Sequence, residues 1–357
     1  MARINPTMVM LARDSRAFTQ AALAEALRVS QGTLSKLENE QFIPSDDLLK
    51  RLSEVLDYPV EFFSEEEPFK SLPISFYRKR IAVSTKRLKA ITAKVNIIRM
   101  VVRKLLRSAE IPHLRFTTMD ADEVHGNVEQ AAREIRIRWN MPPGPINNVT
   151  KILENAGILV MDCDFETNKI DGLSIYDPED CLPPIIILNP SMPGDRYRFT
   201  LCHEFAHIIF HHHLPALAKS DVEDEANRFA SELLIPTKDI KAYLYRLNLR
   251  KLASLKPHWK TSMQAILYKA SSIGVISDRQ KRHLFMEMSK RGYKSVEPFP
   301  IPREEPTLLK ELIRFHLDSL TYSEPQMANA LRVNEHEFRS QYLGIKTPNL
   351  RIIKNDF

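Results

Sequence analysis

The sequence predicts a mainly α-helical chain with one small β-sheet, an α+β protein built in several domains. Three observations carry that expectation. Glycine is scarce, nine in 357 residues, and a chain poor in glycine but rich in leucine, alanine and arginine favours helices. Capping residues precede apolar residues spaced three and four apart along most of the chain. Only three short apolar runs interrupt that pattern between residues 158 and 189: "ILVM", "GLSIY" and "PPIIILN". Each is bounded by turn-forming residues, which predicts a small, largely antiparallel sheet.

Residues 1–66 read as a run of short helices, "FTQAALAEALRVSQGTLSKLENEQFIPSDDLLKRLSEVLDYPVEFF". Thr19 caps a helix that buries Leu23, Ala24 and Leu27, and Val29 fills the turn after it. Ser30 caps a second helix with Leu34 and Leu37 inward. Its outward positions are Gln31, Gly32, Thr33, Ser35, Lys36 and Asn39, small or hydrogen-bonding residues that can approach base edges and phosphates in a major groove. Pro44 and Ser45 open a further helix, and Tyr58-Pro59 ends it. This stretch resembles the XRE (Cro/C1-type repressor) helix-turn-helix family over nearly its whole length, through Gln20, "LAEALRVS" and "LSKLENEQFIPS". The resemblance implies a double-stranded DNA operator as partner. Gln20 would fix the DNA backbone, and Gln31, Gly32, Thr33 and Lys36 would face the groove. Charge speaks instead for a helical interaction module. Residues 1–64 hold seven Lys/Arg against nine Asp/Glu, whereas a DNA reader usually needs a positive field.

Residues 67–125 form a basic linker region. From Arg78 to Arg107 there are eleven Lys/Arg and no acidic residue. Leu88, Ile91, Val95, Ile98, Val102 and Leu105 recur at helical spacing, predicting one long amphipathic helix packed on the rest of the chain. A parallel homodimeric coiled coil is the alternative, disfavoured by Arg87, Lys94 and Arg99 beside the seam. The basic face also suits an auxiliary phosphate-contacting role.

Residues 126–245 start with a helix ending near Asn140, a Pro-Pro-Gly-Pro break and a helix from Ile146 to Asn155. After the three strand-like runs, Asp195 is placed to cap a helix containing "LCHEFAHIIFHHH". "DVEDEANRFASELLIP" is another helix, capped by Asp221 and buried along Val222, Ala226, Phe229, Ala230 and Leu233. His203 and His207 lie four positions apart on one helix face, where two imidazoles can hold one zinc ion. Glu204 stands beside them as a base for water, the HExxH arrangement. Two residues compete for third ligand. His213 has metzincin spacing, but Phe210 replaces the glycine which that turn requires. Glu223, on the next helix, is the gluzincin solution and is preferred. Asn227, one turn on, has the reach to bond the far nitrogen of a ligand histidine. Glu225 is the reserve ligand, and His211 and His212 read as helix-end residues complementing the dipole.

"RYRFTLCHEFAHIIFHH" followed by "EDEANRFASELLIP" resembles the ImmA/IrrE metallopeptidase family. The resemblance implies a zinc-dependent peptidase with ligands His203, His207 and Glu223 and with Glu204 as general base. It also implies action with, or upon, transcriptional repressors in stress responses and mobile elements. Cys202 departs from the small residues usual there and reads as a buried helix residue. A substrate strand would pair with a sheet edge, for which "PPIIILN" is the candidate. Tyr197, Arg198 and His258 are candidate oxyanion donors.

Residues 246–357 are helical again and resemble the C-terminal extension of longer family members. "YSEPQMANALRVNEHEF" (322–338) aligns without gaps to "FTQAALAEALRVSQGTL" (18–34). Its outward positions are Glu324, Glu335 and Glu337, which would repel phosphate, so this echo reads as a packing or protein-contact module. No apolar run reaches the roughly 18–20 residues of a membrane span, and the first residues lack a signal-peptide core. Three cysteines cannot form a disulfide framework, and a cytoplasmic location is expected. Net charge of +6 permits nucleic-acid binding. The expected protein is therefore a DNA-binding transcriptional regulator with a zinc-dependent peptidase domain acting on a repressor, toxin or other partner. The alternative is a non-proteolytic transcription factor or antitoxin-like module that uses the peptidase fold as a sensor.

Overall fold

The computed structural model describes residues 4–66, 84–119, 127–211 and 221–345. The chain divides into two compact units, Met1–Ile111 together with Leu309–Phe357, and Pro112–Leu308.

The first unit opens with α1 (Pro6–Ser15), α2 (Gln20–Ala26), α3 (Gln31–Glu38) and α4 (Asp46–Leu56). The side chains of Thr19, Ser30 and Ser45 accept from the backbone N–H groups of Ala22, Thr33 and Leu48. Each such cap stabilises its helix by about 1 kcal/mol, because it satisfies a donor the helix itself cannot. Leu23, Leu27, Leu34, Leu37, Leu52 and Leu56 point inward and meet Phe62 and Phe63. The long basic helix, α5 (Thr85–Leu105), starts at the cap Ser84 and adds Ala93, Ile97 and Met100 to that core. Its expected apolar stripe, Leu88 to Leu105, is buried as well. That stripe lies inside the chain, so it offers no seam to a homodimeric coiled coil.

The echo is structural. Arg28 and Arg332, aligned in sequence, both adopt left-handed backbone, φ 55° and 62°. Val29 N–H bonds the Ala24 carbonyl at 3.0 Å, and Val333 N–H bonds the Ala328 carbonyl at 3.0 Å. Ser323 caps the helix Glu324–Leu331 as Thr19 caps α2. The copy's second helix is only Glu335–Glu337 before a π-turn. It docks on the N-terminal helices: Arg16 donates to Glu337 (2.8 Å), Asn334 to Asp57 (2.6 Å) and Arg332 to Glu65 (3.2 Å).

The second unit holds α6 (Val128–Arg138), α7 (Val149–Asn155), β1 (Leu159–Asp162), β2 (Gly172–Ile175), β3 (Ile185–Leu188), α8 (Gly194–Phe210) and α9 (Asp221–Leu234). The sheet order is β1-β3-β2, with β3 parallel to β1 and antiparallel to β2. Two expectations are corrected here. The sheet is mixed, since the chain leaves β1, crosses to the far edge as β2 and only then returns through the middle. The run in "PPIIILN" is that central strand, and β2 is an edge. A continuous apolar run marks burial on both faces, and Ile185–Leu188 is buried throughout. At Gly172 a Cβ would lie 2.6 Å from the Leu188 side chain and 3.0 Å from that of Thr200. Glycine there lets α8 settle on the sheet.

Helix α8 begins at Gly194, with no side-chain cap. Asp195 lies inside the first turn instead, where its carboxylate takes the Arg196 N–H and the Lys256 ammonium. Leu201, Phe205, Ile208 and Ile209 of α8 share one core with Phe229, Ala230 and Leu233 of α9 and with Val160, Ile186 and Leu188 of the sheet. Behind α9, the buried Glu232 carboxylate accepts from Lys269 and Thr237. Burial opposes its charge, but these partners hold it below its ordinary value of 4.5. Among the described residues no helix is long and apolar enough to cross a membrane.

Candidate metal centre and DNA-facing helix

A spacing of four residues, about one helix turn, puts the part-buried His203 and His207 on one face of α8. Their Nε2 atoms are 3.1 Å apart. From α9, Glu223 brings Oε2 to 3.5 Å from His203 Nε2 and Oε1 to 3.8 Å from His207 Nε2. The three donor atoms lie within 4.8 Å of one another. Two ligands bound at about 2.0–2.1 Å to a tetrahedral ion stand about 3.3 Å apart. The observed separations bracket that value, so the residues fit a small divalent cation.

The ring orientations support the same assignment. His203 Nδ1 lies 3.0 Å from Asn227 Oδ1. That oxygen only accepts, so neutral His203 carries its proton on Nδ1 and turns its Nε2 lone pair toward Glu223. His207 Nδ1 lies 2.9 Å from His211 Nδ1, and His211 Nε2 lies 3.0 Å from Glu225 Oε2. The carboxylate takes the His211 Nε2–H. Its Nδ1 then accepts from His207, whose Nε2 lone pair also faces Glu223. Glu225 therefore sits behind the histidines and not among the three converging donors, which removes it as the reserve ligand. His211 closes the end of α8 as the helix-end residue expected, and its buried ring also forms the middle of this relay. His212 and His213 lie outside the described residues.

Glu204 is 5% exposed, and its Oε2 accepts from Ser174 Oγ on β2 at 2.7 Å. Sequence reasoning passed over Ser174. The alternation in "GLSI" places it opposite Leu173 and Ile175, but nothing local says which helix residue it meets. The three oxyanion candidates are engaged otherwise. Arg198 is buried in an ion pair with Glu304 and donates to the Ile146 carbonyl; burial pulls its guanidinium down to about 10. Tyr197 is fully buried beneath the Arg303 guanidinium. His258 packs against the rings of Tyr243 and Trp259. Burial pushes the Cys202 thiol up to about 12, which leaves it protonated and inert at neutral pH.

In the first unit, Gln31, Gly32, Lys36 and Asn39 of the α3 region are exposed, and Thr33 and Ser35 half-buried. Exposed Ser30 spends its hydroxyl on the Thr33 N–H and hydroxyl, and the Asn39 amide donates to the Ser35 carbonyl at 2.8 Å. Gln20 is held between helices: its amide donates to Glu38 (2.9 Å) and its oxygen accepts from Gln31 (3.3 Å). Glu38 in turn takes the Arg13 guanidinium at 2.6 Å. This chain of bonds fixes the start of α2 against α3 and turns both toward the same outer face.

Residues 153–271 match the family described as the IrrE N-terminal-like domain, and residues 9–63 match the family described as helix-turn-helix. The first match contains all three converging donors, Glu204 and the His211–Glu225 relay; the second contains Gln20 and the whole of α3. Among curated proteins none matches the chain. The chain is thus a fusion of an XRE-type helix-turn-helix domain with an IrrE/ImmA-like peptidase-family domain.

Proposed function

We propose that the protein is a DNA-binding regulator whose central domain hydrolyses a peptide bond in a partner protein, such as a repressor, in a stress-response or mobile-element circuit. The observation that carries this reading is the convergence of His203, His207 and Glu223, with Glu204 on the next residue of the same helix. A zinc ion held by those three residues supplies Lewis acidity to polarise the scissile carbonyl. Asn227 and the His211–Glu225 pair keep both imidazoles in the tautomer that can ligate. Glu204 takes the proton of the attacking water and delivers it to the leaving amine. The Ser174 hydroxyl holds one Glu204 oxygen and so sets the direction of the other. The edge strand β2, rather than β3, offers backbone groups to an extended substrate segment. On the DNA side, Gln20 fastens the backbone, and Gln31, Gly32, Thr33, Lys36 and their neighbours Ser30, Ser35 and Asn39 meet the groove.

The direct test is purified protein with zinc and a candidate repressor, compared with Glu204→Gln. Cleavage falls by about a hundredfold to ten-thousandfold while bound zinc is unchanged. Cleavage that survives the substitution removes this mechanism.

A further inference from the structure

A DNA-reading module with net negative charge poses an electrostatic problem. Residues 1–64 carry seven Lys/Arg against nine Asp/Glu. Arg13, the cation nearest Gln20 in the bonded chain, is already spent on Glu38 at 2.6 Å and Asp14 at 2.8 Å. Duplex DNA presents about one charge per 1.7 Å of axis, and binding is driven largely by its neutralisation.

The compensating charge stands on α5. An open cleft of about 320 Å³ is lined on one side by Asp14, Thr19 and Gln20 and on the other by Thr85, Lys86 and Lys89. Lys86 and Lys89 are exposed and three residues apart, hence on one face of the helix. The neighbouring Leu88 and Ile91 are buried, and Ala93, Ile97 and Met100 anchor the helix in the core shared with α1 to α4. The lysines are therefore carried on a rigid element beside Gln20. Asp14, the acid lining the cleft, is paired with Arg13, so the two ammonium groups leave the opening positive.

We propose that Lys86 and Lys89 extend the DNA interface off the helix-turn-helix, clamping phosphates of the same duplex next to the one Gln20 would meet. This rests on the DNA-binding reading above. The contacts are to backbone alone, so they raise affinity for every sequence and add no base preference.

The experiment measures binding of a fluorescent duplex of about 25 base pairs and arbitrary sequence across about 50–300 mM salt. Full-length wild type is compared with Lys86→Gln/Lys89→Gln, with Lys36→Gln and with the charge-matched control Arg282→Gln/Lys290→Gln. The log–log salt slope of the Lys86/Lys89 variant falls in magnitude by about two, and its affinity near 0.1 M salt drops on the order of tenfold to sixtyfold. The control keeps the wild-type slope. An unchanged slope for the Lys86/Lys89 variant, with wild type binding and Lys36→Gln weakened, overturns the clamp and leaves the DNA reading standing. Equal losses in both double variants assign the effect to net charge and also overturn it. A wild-type protein that binds no duplex at any salt removes the DNA reading itself.

Discussion

Helix α8 displays side chains that other side chains hold, whereas α3 displays side chains that mostly face solvent. His203 is fixed by Asn227, His207 by His211 and Glu225, and Glu204 by Ser174. On α3, Gln31, Gly32 and Lys36 are exposed, Gln31 is tied to Gln20 by a single long bond of 3.3 Å, and the bonds made by Ser30 and Asn39 stay within the helix's own turns. The contrast reflects what each partner demands. A tetrahedral cation accepts donors only within a few tenths of an ångström, so orientation must be built in beforehand. A DNA groove is wet and deformable, and long polar side chains complete their contacts on arrival. Substitutions in α8 should therefore act nearly all-or-none, and those in α3 should act in graded, additive steps.

The largest effect tests the first half of that contrast. His203→Ala removes one of three donors, and metal measured in purified protein falls from near one ion per chain to background. Full occupancy in that variant would break the comparison at its root. Next comes the buried Lys269–Glu232 pair, which ties α9 to the helix Met263–Ser272. Lys269→Met removes the buried cation and leaves the Glu232 carboxylate with Thr237 and the largely exposed Arg133 guanidinium at 3.2 Å, costing about 3 kcal/mol in urea unfolding. The same group sets an acid limit. The folded-state value of Glu232 lies below its ordinary 4.5, so its contribution is complete above that pH and is lost as pH falls through the folded value. A pH series of unfolding midpoints should show this loss, and Glu232→Gln should flatten it.

The relay behind the candidate metal centre sharpens the comparison. His211→Phe keeps the bulk of a buried ring but deletes the acceptor for His207, and metal affinity measured by chelator competition falls about tenfold to a hundredfold. Retained affinity would show that His207 needs no such support. The smallest effects belong to α3. Gln31→Ala and Lys36→Ala each weaken DNA binding by about 1 kcal/mol, and the double variant shows roughly their sum. A double variant much worse than the sum would place α3 in the same interlocked class as α8.

What could be read from the residues was whatever is local. Thr19, Ser30 and Ser45 announce helix starts through their own side chains, and the four-residue step from His203 to His207 is a property of one helix. Glu223 needed two neighbouring helices and a known pattern. Beyond that range the sequence was silent or misleading. Ser174 reaches Glu204 across 30 positions, and His211 reaches Glu225 across 14; neither pairing leaves a periodic trace. The apolar density of "PPIIILN" marks the centre of the sheet and not the edge that a substrate strand would need. Asp195 has the sequence signature of a cap, and its actual partner, Lys256, lies 61 positions away and leaves no local trace.

One consequence follows from the first unit's being drawn from both sides of the second. Residues 309–345 leave the ribosome after all of Pro112–Leu308, a delay on the order of tens of seconds at ordinary elongation rates. Through that interval the nascent helix-turn-helix lacks the clasps that Glu337, Asn334 and Arg332 make to Arg16, Asp57 and Glu65. Synthesis thus has a built-in order: the peptidase-family domain is complete before the helix-turn-helix unit can close on its last helices.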